Sequence, residues 1–242
     1  MVSMRSSMSL VFASALAGCA TPVPHVQPPA PPPAETTLAV TRPKPPRVGC
    51  REQPGVSTWE RRLRSNHRLL ADTEQSARQG ERYIPRLRRI LEESGIPPAL
   101  ALLPIIESKF QLRARGRYGE LGLWQLRHAT ARRFGLVVNG RRDDRLDPEL
   151  ATRGAARFLL YLHERYDDWL LAIAAYNAGE QRIDRAMAHH PGATFWDLAR
   201  DGRLPRHCRE YVPHFLAVVQ MVEKAPFCPD ARERTALNGS EA

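Results

Sequence analysis

Residues 147–179 read DPELATRGAARFLLYLHERYDDWLLAIAAYNAG, and this stretch decides the fold. Asp147 followed by Pro148 is a helix start: a carboxylate accepts from first-turn amides, and proline at that position gives up no needed N–H. The pattern predicts one long helix running to about Tyr166. Asp168 caps a second, Trp169–Ala178, which Gly179 ends. No two-residue alternation of the kind a strand requires runs through the stretch.

The same period extends outward in both directions. Towards the N-terminus, Ser57-Thr58-Trp59-Glu60 fits a capping box and predicts a polar helix to about Arg78. Ile84, Leu87 and Leu91 keep a helical spacing that Gly95 ends as a C′ residue. Pro97-Pro98 then opens Ala99–Glu107, apolar nearly all round and therefore expected to be buried. Leu123–Phe134 reads as a helix stopped by Gly135. Towards the C-terminus, shorter helices are predicted at about 181–188 and 195–199, and a longer one at Arg209–Lys224. With no strand and no fixed-period repeat, the region from Ser57 onward is predicted to be all-α.

Glu107 closes the apolar run Leu100-Ala101-Leu102-Leu103-Pro104-Ile105-Ile106, with Phe110 just beyond. A carboxyl among such neighbours is poorly solvated, which raises its pKa and keeps it protonated near neutral pH. That is the state a general acid needs to protonate a leaving-group oxygen. The plainer alternative is that Glu107 turns outward at the helix end. Further on, Gly119-Glu120-Leu121-Gly122-Leu123-Trp124-Gln125 sets glycines before an aromatic and an amide, side chains that suit a sugar ring and its hydroxyl and N-acetyl groups. Ala174-Ala175-Tyr176-Asn177-Ala178-Gly179 ends a helix with two polar side chains after small residues. Trp124 read simply is a core residue, and Asn177 a local helix-end cap.

Taken together and in this order, Leu102–Ser108, Gly122–Gln125, Asp144–Pro148, Ala174–Gly179 and Tyr211-Val212-Pro213 resemble the soluble-lytic-transglycosylase domain, glycoside hydrolase family 23, in its membrane-bound transglycosylase D form. The resemblance covers about residues 96–225. It implies a lysozyme-like helical fold of the goose-type or lytic-transglycosylase kind. It also implies cleavage of the β-1,4 bond between N-acetylmuramic acid and N-acetylglucosamine, leaving 1,6-anhydro ends. Glu107 falls on the catalytic position as the one acid and base. Ser108, Gln125, Tyr176, Asn177 and Tyr211 match substrate-binding positions or, for Tyr211, a tyrosine near the acid. No cofactor and no metal are implied, since His163-Glu164 is not followed by a second histidine at ligand spacing.

The chain departs from that pattern at three places. Gly116 stands where the family has a serine hydroxyl beside the sugar site. Glu120 stands at a usual alanine and adds a carboxylate. Arg127-His128 replaces a Met-Pro pair. C-terminal glycan-binding repeats, which often accompany the transglycosylase D type, are expected to be lacking. Two other readings therefore stand beside the transglycosylase: a non-catalytic glycan-binding lipoprotein, and a muramidase-type hydrolase with Glu120, Asp143 or Asp144 as base. A hydrolase of that kind needs a second carboxylate.

The chain has 242 residues, 43% hydrophobic and 26% charged, which allows a real core. Of its 21 prolines, most of those outside the helical region fall between Pro22 and Pro54. Residues 1–18 read as a lipoprotein signal peptide: Arg5 precedes an apolar run too short to span a bilayer, and Leu16-Ala17-Gly18-Cys19 resembles a lipobox with Cys19 acylated. An ordinary signal peptide with an incidental cysteine is the alternative. Ala20 after the cysteine points by resemblance to the periplasmic face of the outer membrane. Residues 19–56 are then a lipid-anchored, disordered proline-rich linker with a reach on the order of 90 Å. Residues 57–95 are an N-terminal helical extension, 96–228 the catalytic domain and 229–242 a disordered tail. Cys50 is free to pair with Cys208 or Cys228 in an oxidising periplasm, or all three stay unpaired. Cys208 and Cys228 flank a predicted helix that would hold them roughly 25–30 Å apart, too far to join each other. The formal charge is +10. Export makes nucleic acid an unsuitable partner for it and leaves peptidoglycan strands and a membrane surface. A monomer is expected.

Overall fold

The structure, a computed structural model, describes residues 54–227. Its order follows from helix ends written into the sequence. Asp147 accepts from the amides of Glu149 and Leu150 at 2.9 Å each and starts a 19-residue helix, Pro148–Tyr166. Asp168 accepts from Leu170 and Leu171 at 2.7 and 3.1 Å and starts Trp169–Ala178. Gly179, at φ 87°, ends it. Leu171 to Ala175 are buried without a break, so this helix presents no polar stripe to solvent along that run. It is the axis of the domain.

In chain order the helices are α1 (Pro54–Ser65), α2 (His67–Gly80), α3 (Ile84–Glu93), α4 (Leu103–Glu107), α5 (His128–Arg133), α6 (Pro148–Tyr166), α7 (Trp169–Ala178), α8 (Glu180–Ala188), α9 (Phe195–Arg200) and α10 (Arg206–Glu223). Two 3-10 turns, Pro98–Leu102 and Asp144–Leu146, precede α4 and α6. Helix α7 packs on α6, α8, α9 and α10, while α1 lies along α10 and α3 against α6 and the first 3-10 turn. One hydrophobic core runs from Val56 to Phe227 and includes Leu87, Leu100, Trp124, Leu159, Ile173 and Phe215. Each fully buried Leu, Ile or Phe adds about 1.5–3 kcal/mol. The helices of 57–95 share this core. Among the described residues there are no strands, only three isolated bridges. The all-α expectation holds.

Several local expectations are corrected. Helix α1 begins at Pro54, so the Ser57 box lies inside it. The extra turn is held by packing: a Cβ on Gly55 would sit 3.1 Å from Pro213 of α10, and Val56 is buried. The expected single helix to Arg78 is two, because the Asn66 side chain accepts from Leu69 N at 3.0 Å and caps α2. The Ala99–Glu107 helix is divided by Pro104, whose missing N–H and bulky ring are tolerated only in the first turn of a new helix. Helix Leu123–Phe134 shrinks to α5, because Gly122 and Gln125 take left-handed torsions (φ 79° and 46°) and Leu121 bridges to Leu126. Helix α10 starts at Arg206, which puts Cys208 in its first turn rather than ahead of it. The Gly95 stop is as expected: Ile96 N bonds Leu91 O and Gly95 N bonds Glu92 O, both at 2.9 Å, the paired bonds of a Schellman end.

Candidate active site

Glu107 is the last residue of α4, a five-residue helix whose other side chains are apolar. The chain turns away from it through two residues in left-handed torsions, Lys109 (φ 53°) and Phe110 (φ 55°). Non-glycine residues hold such torsions only where the surroundings compensate. Here Phe110 lies flat on α2 because Gly80 offers no side chain: a Cβ there would be 2.7 Å from the Phe110 ring. Lys109 ties the turn to α2 by a 2.7 Å ion pair with Asp72.

One phenol bonds the Glu107 carboxyl and a second lies within reach of its charge. Tyr211, from α10, donates its hydroxyl to Glu107 Oε1. Tyr176, from α7, lies close enough to sense the Glu107 charge and donates to the Trp124 carbonyl at 2.6 Å. Burial raises the Glu107 pKa to about 7; the Tyr211 bond opposes the rise and the negative charge of Glu120 adds to it. Burial, with the Glu107 charge behind it, pushes both tyrosines well above the usual phenol range. They therefore stay neutral donors, and the carboxyl can take and give a proton near neutral pH.

The segment facing this acid, residues 111–127, is built on bends. Gly116 N bonds Glu120 O and Gly122 N bonds Ala114 O, each at 2.9 Å. Gly122 is obligatory twice over: its φ is 79°, and a Cβ would come within 2.0 Å of the Arg145 carbonyl. Arg145, only 8% exposed, clamps the segment from the second 3-10 turn. Its Nη1 donates to Gly119 O at 2.9 Å and to Leu126 O at 3.0 Å, while Nε and Nη2 hold Asp143. The sequence singled out the Asp144–Pro148 segment without this role. In a chain where 33 of 36 cations are arginine, one buried arginine has no distinguishing sequence signal.

Gln125 donates its amide N–H groups to Gly122 O (2.7 Å) and Ala114 O (3.1 Å), leaving its carbonyl oxygen directed towards Gly116. Asn177 is exposed near the end of α7. Ser108 is buried and donates to Pro104 O at 3.2 Å, so its proton is used within the fold. Trp124 is fully buried with its indole N–H on Thr152 at 2.9 Å; it is core and offers no face to a sugar. Asp144 is buried against Arg142 and the Val137 amide, and the half-buried Asp143 is paired with Arg145, which occupies both carboxylates structurally. Cys208 is buried near the Ala174 carbonyl and has no disulfide partner among the described residues. Cys19, Cys50 and Cys228 lie outside the described residues.

An acid at the end of a short buried helix, with neutral tyrosines from two further helices around it, defines a lysozyme-like lytic-transglycosylase fold. Similarity to solved structures agrees. The 70-kDa soluble lytic transglycosylase in complex with bulgecin A matches at TM-score 0.53 and 20% identity, over 69% of this chain and 28% of that one. An inactive Glu-to-Gln mutant of lytic transglycosylase Slt from Pseudomonas aeruginosa matches at TM-score 0.51 and 25% identity, over 61% and 25%. Residues 87–198 match the transglycosylase SLT domain, and the chain carries a domain of that family. It is homologous to membrane-bound lytic murein transglycosylase D of Escherichia coli K12, 30% identical over 184 residues, 74% of this chain and 39% of the relative. It is also 40% identical over 100 residues to the peptidoglycan transglycosylase gp16 of phage T7, 40% of this chain and 8% of that one. The chain thus spans well under two thirds of the length of these relatives.

Proposed function

We propose that this protein is a peptidoglycan lytic transglycosylase in which Glu107 serves as both acid and base. The observation that carries the reading is the state of Glu107: half-buried, bonded by Tyr211, with its pKa pushed up by desolvation to about 7. Protonated Glu107 gives its proton to the glycosidic oxygen as the C1–O bond of N-acetylmuramic acid breaks, and the neighbouring acetamido group supports the positive charge at C1. The carboxylate left behind takes the proton of the C6 hydroxyl, whose oxygen closes on C1. One bond breaks and one forms, the proton crosses through Glu107, and no water is consumed. Gln125 and Asn177 are assigned to the glycan, with Ser108 and Tyr176 shaping the wall beside it and Tyr211 orienting the acid.

Digestion of purified sacculi by the wild type and Glu107→Gln, read by mass spectrometry, tests this. The expected products are anhydro-muropeptides, each one water lighter than its hydrolytic counterpart, and none from the variant. Reducing ends would establish a hydrolase, binding without products a glycan-binding protein, and full turnover by Glu107→Gln would remove the acid from its role.

The cell-envelope location follows the same reading. The names of the relatives place them at the membrane, and Cys19 is assigned as the acylated residue that holds this chain to the outer membrane. Cys19→Ser is expected to move the protein from the membrane fraction to the soluble one. Retention in the membrane would leave the anchor elsewhere.

A further inference from the structure

Gly116 is a glycine without a backbone reason. Its φ lies outside the left-handed region, so its torsions suit any residue. Space is the reason instead. A Cβ on it would lie 2.3 Å from Glu120 Oε2 and 2.8 Å from Glu120 Cβ, with Gln125 Oε1 at 3.1 Å. A carboxylate oxygen can swing aside, but a Cβ is fixed by its backbone. Glu120 is held there deliberately: Oε2 accepts from Tyr118 N at 2.8 Å, and the Gly116 amide donates to the Glu120 carbonyl at 2.9 Å.

We propose that Gly116 and Glu120 act as an exchanged pair: the Glu120 carboxylate fills the place of the side chain that residue 116 lacks. From there Glu120 is a positioning residue, fixing the wall on which Gln125 lies and holding negative charge against Glu107. The inference rests on the assignment of Glu107 as the acid. Among the described residues, Glu120 is the charge that adds to burial in raising the Glu107 pKa. Helix α10 brings Tyr211 and α7 brings Tyr176, both neutral; α2 brings Asp72, which is paired with Lys109; and the first 3-10 turn brings no charge. The counter-charge on Glu120 is Arg127 at 3.8 Å, with side chains 64% exposed for Arg127 and 22% for Glu120. An arginine so exposed is screened by water and neutralises Glu120 only in part. Glu120 therefore favours the proton on Glu107, in the direction the acid step needs.

Two substrate-free measurements test the pair. The first is a thermal-unfolding cycle of Gly116→Ala, Glu120→Gly and the double variant. Gly116→Ala is expected to lower Tm by on the order of 5 °C through overpacking, and the double variant to recover much of that loss. Additive changes would overturn the exchange. The second is a 13C NMR titration of the Glu107 carboxyl in wild type and Glu120→Gln, which keeps the shape and removes the charge. The midpoint is expected to fall in the variant with Tm little changed; an unmoved midpoint would overturn the charge role. Neither reading needs turnover, so a wild type that leaves sacculi intact would overturn the proposed activity and not this pair.

Discussion

The hydroxyl of Tyr211 donates a hydrogen bond to Oε1 of Glu107, joining residues 104 positions apart in the chain. The bond links the end of a five-residue helix to the first half of an 18-residue one. It needs both to be packed on the shared core before it forms. It also works against burial, because a donor on a carboxylate favours the charged form. Glu107 is thus held between two opposed influences, and the balance leaves its pKa near neutral.

Tyr211→Phe keeps the ring and removes the donor. With the stabilisation of the carboxylate gone, the Glu107 pKa is expected to rise further. As an acid works in its protonated form, the alkaline limb of the pH–rate profile on sacculi should move to higher pH. The rate itself is expected to fall on the order of tenfold or more, the worth of a bond to a charged group. An alkaline limb that stays in place would separate Tyr211 from the titration.

Stability should carry the same signature with a definite sign. A glutamate unfolds with a pKa of about 4.3, and Glu107 in the fold titrates at about 7. The folded state therefore binds the proton more tightly, so its contribution is fully present below about pH 4.3 and is lost as pH rises through about 7. Glu107→Gln removes that loss. It is expected to match the wild type near pH 4 and to exceed it at pH 8 by about 2–4 kcal/mol, read as a denaturant midpoint at each pH. A constant difference across pH would mean the carboxyl is not desolvated in solution.

The helix ends were legible because they are local. Asp147, Asp168, Gly95 and Gly179 act within four residues of themselves, and each is found where the pattern put it. The raised pKa of Glu107 was legible because it closes an apolar helical turn, whereas its partner Tyr211 comes from a helix 104 positions on. What was not legible depends on residues distant in sequence. Leu123–Phe134 carries helical spacing, yet Arg145 and the Tyr176 hydroxyl hold its first half as a bent loop. Gly116 and Glu120 looked like two separate departures from a family pattern, whereas in space they meet.

Gly122→Ala should be far more damaging than an ordinary glycine substitution. The added Cβ would fall 2.0 Å from the Arg145 carbonyl, at a φ of 79° that alanine resists. Because the obstacle is backbone, the segment from Ala114 to Leu126 must shift. Activity on sacculi is expected to fall by more than a hundredfold through misplacement of the wall opposite Glu107. Gly119→Ala has a similar torsion, φ 86°, but open space around it, and serves as the matched comparison with a much smaller loss. Equal losses would show that the torsion alone, rather than the approach to Arg145, is what matters.

Arg145 tests the clamp from the other side. Its guanidinium satisfies two loop carbonyls and Asp143 at once, with 8% of its side-chain surface exposed. Arg145→Met keeps much of the volume, but leaves Asp143 without its guanidinium partner and the Gly119 carbonyl without a donor, while the Leu126 carbonyl keeps only the Leu121 N–H at 3.2 Å. Breaking a buried pair from one side costs about 3–5 kcal/mol. Asp143 is 21% exposed and can turn to water, which places the expected loss at the lower end, about 3 kcal/mol. Burial of the arginine, not attraction alone, sets this asymmetry. Arg145→Met with Asp143→Asn should therefore regain part of the stability while the guanidinium bonds to Gly119 O and Leu126 O stay missing and activity stays low. Recovery of activity along with stability in the double variant would show that the Asp143 pairing, and not the bonds to Gly119 and Leu126, positions the loop.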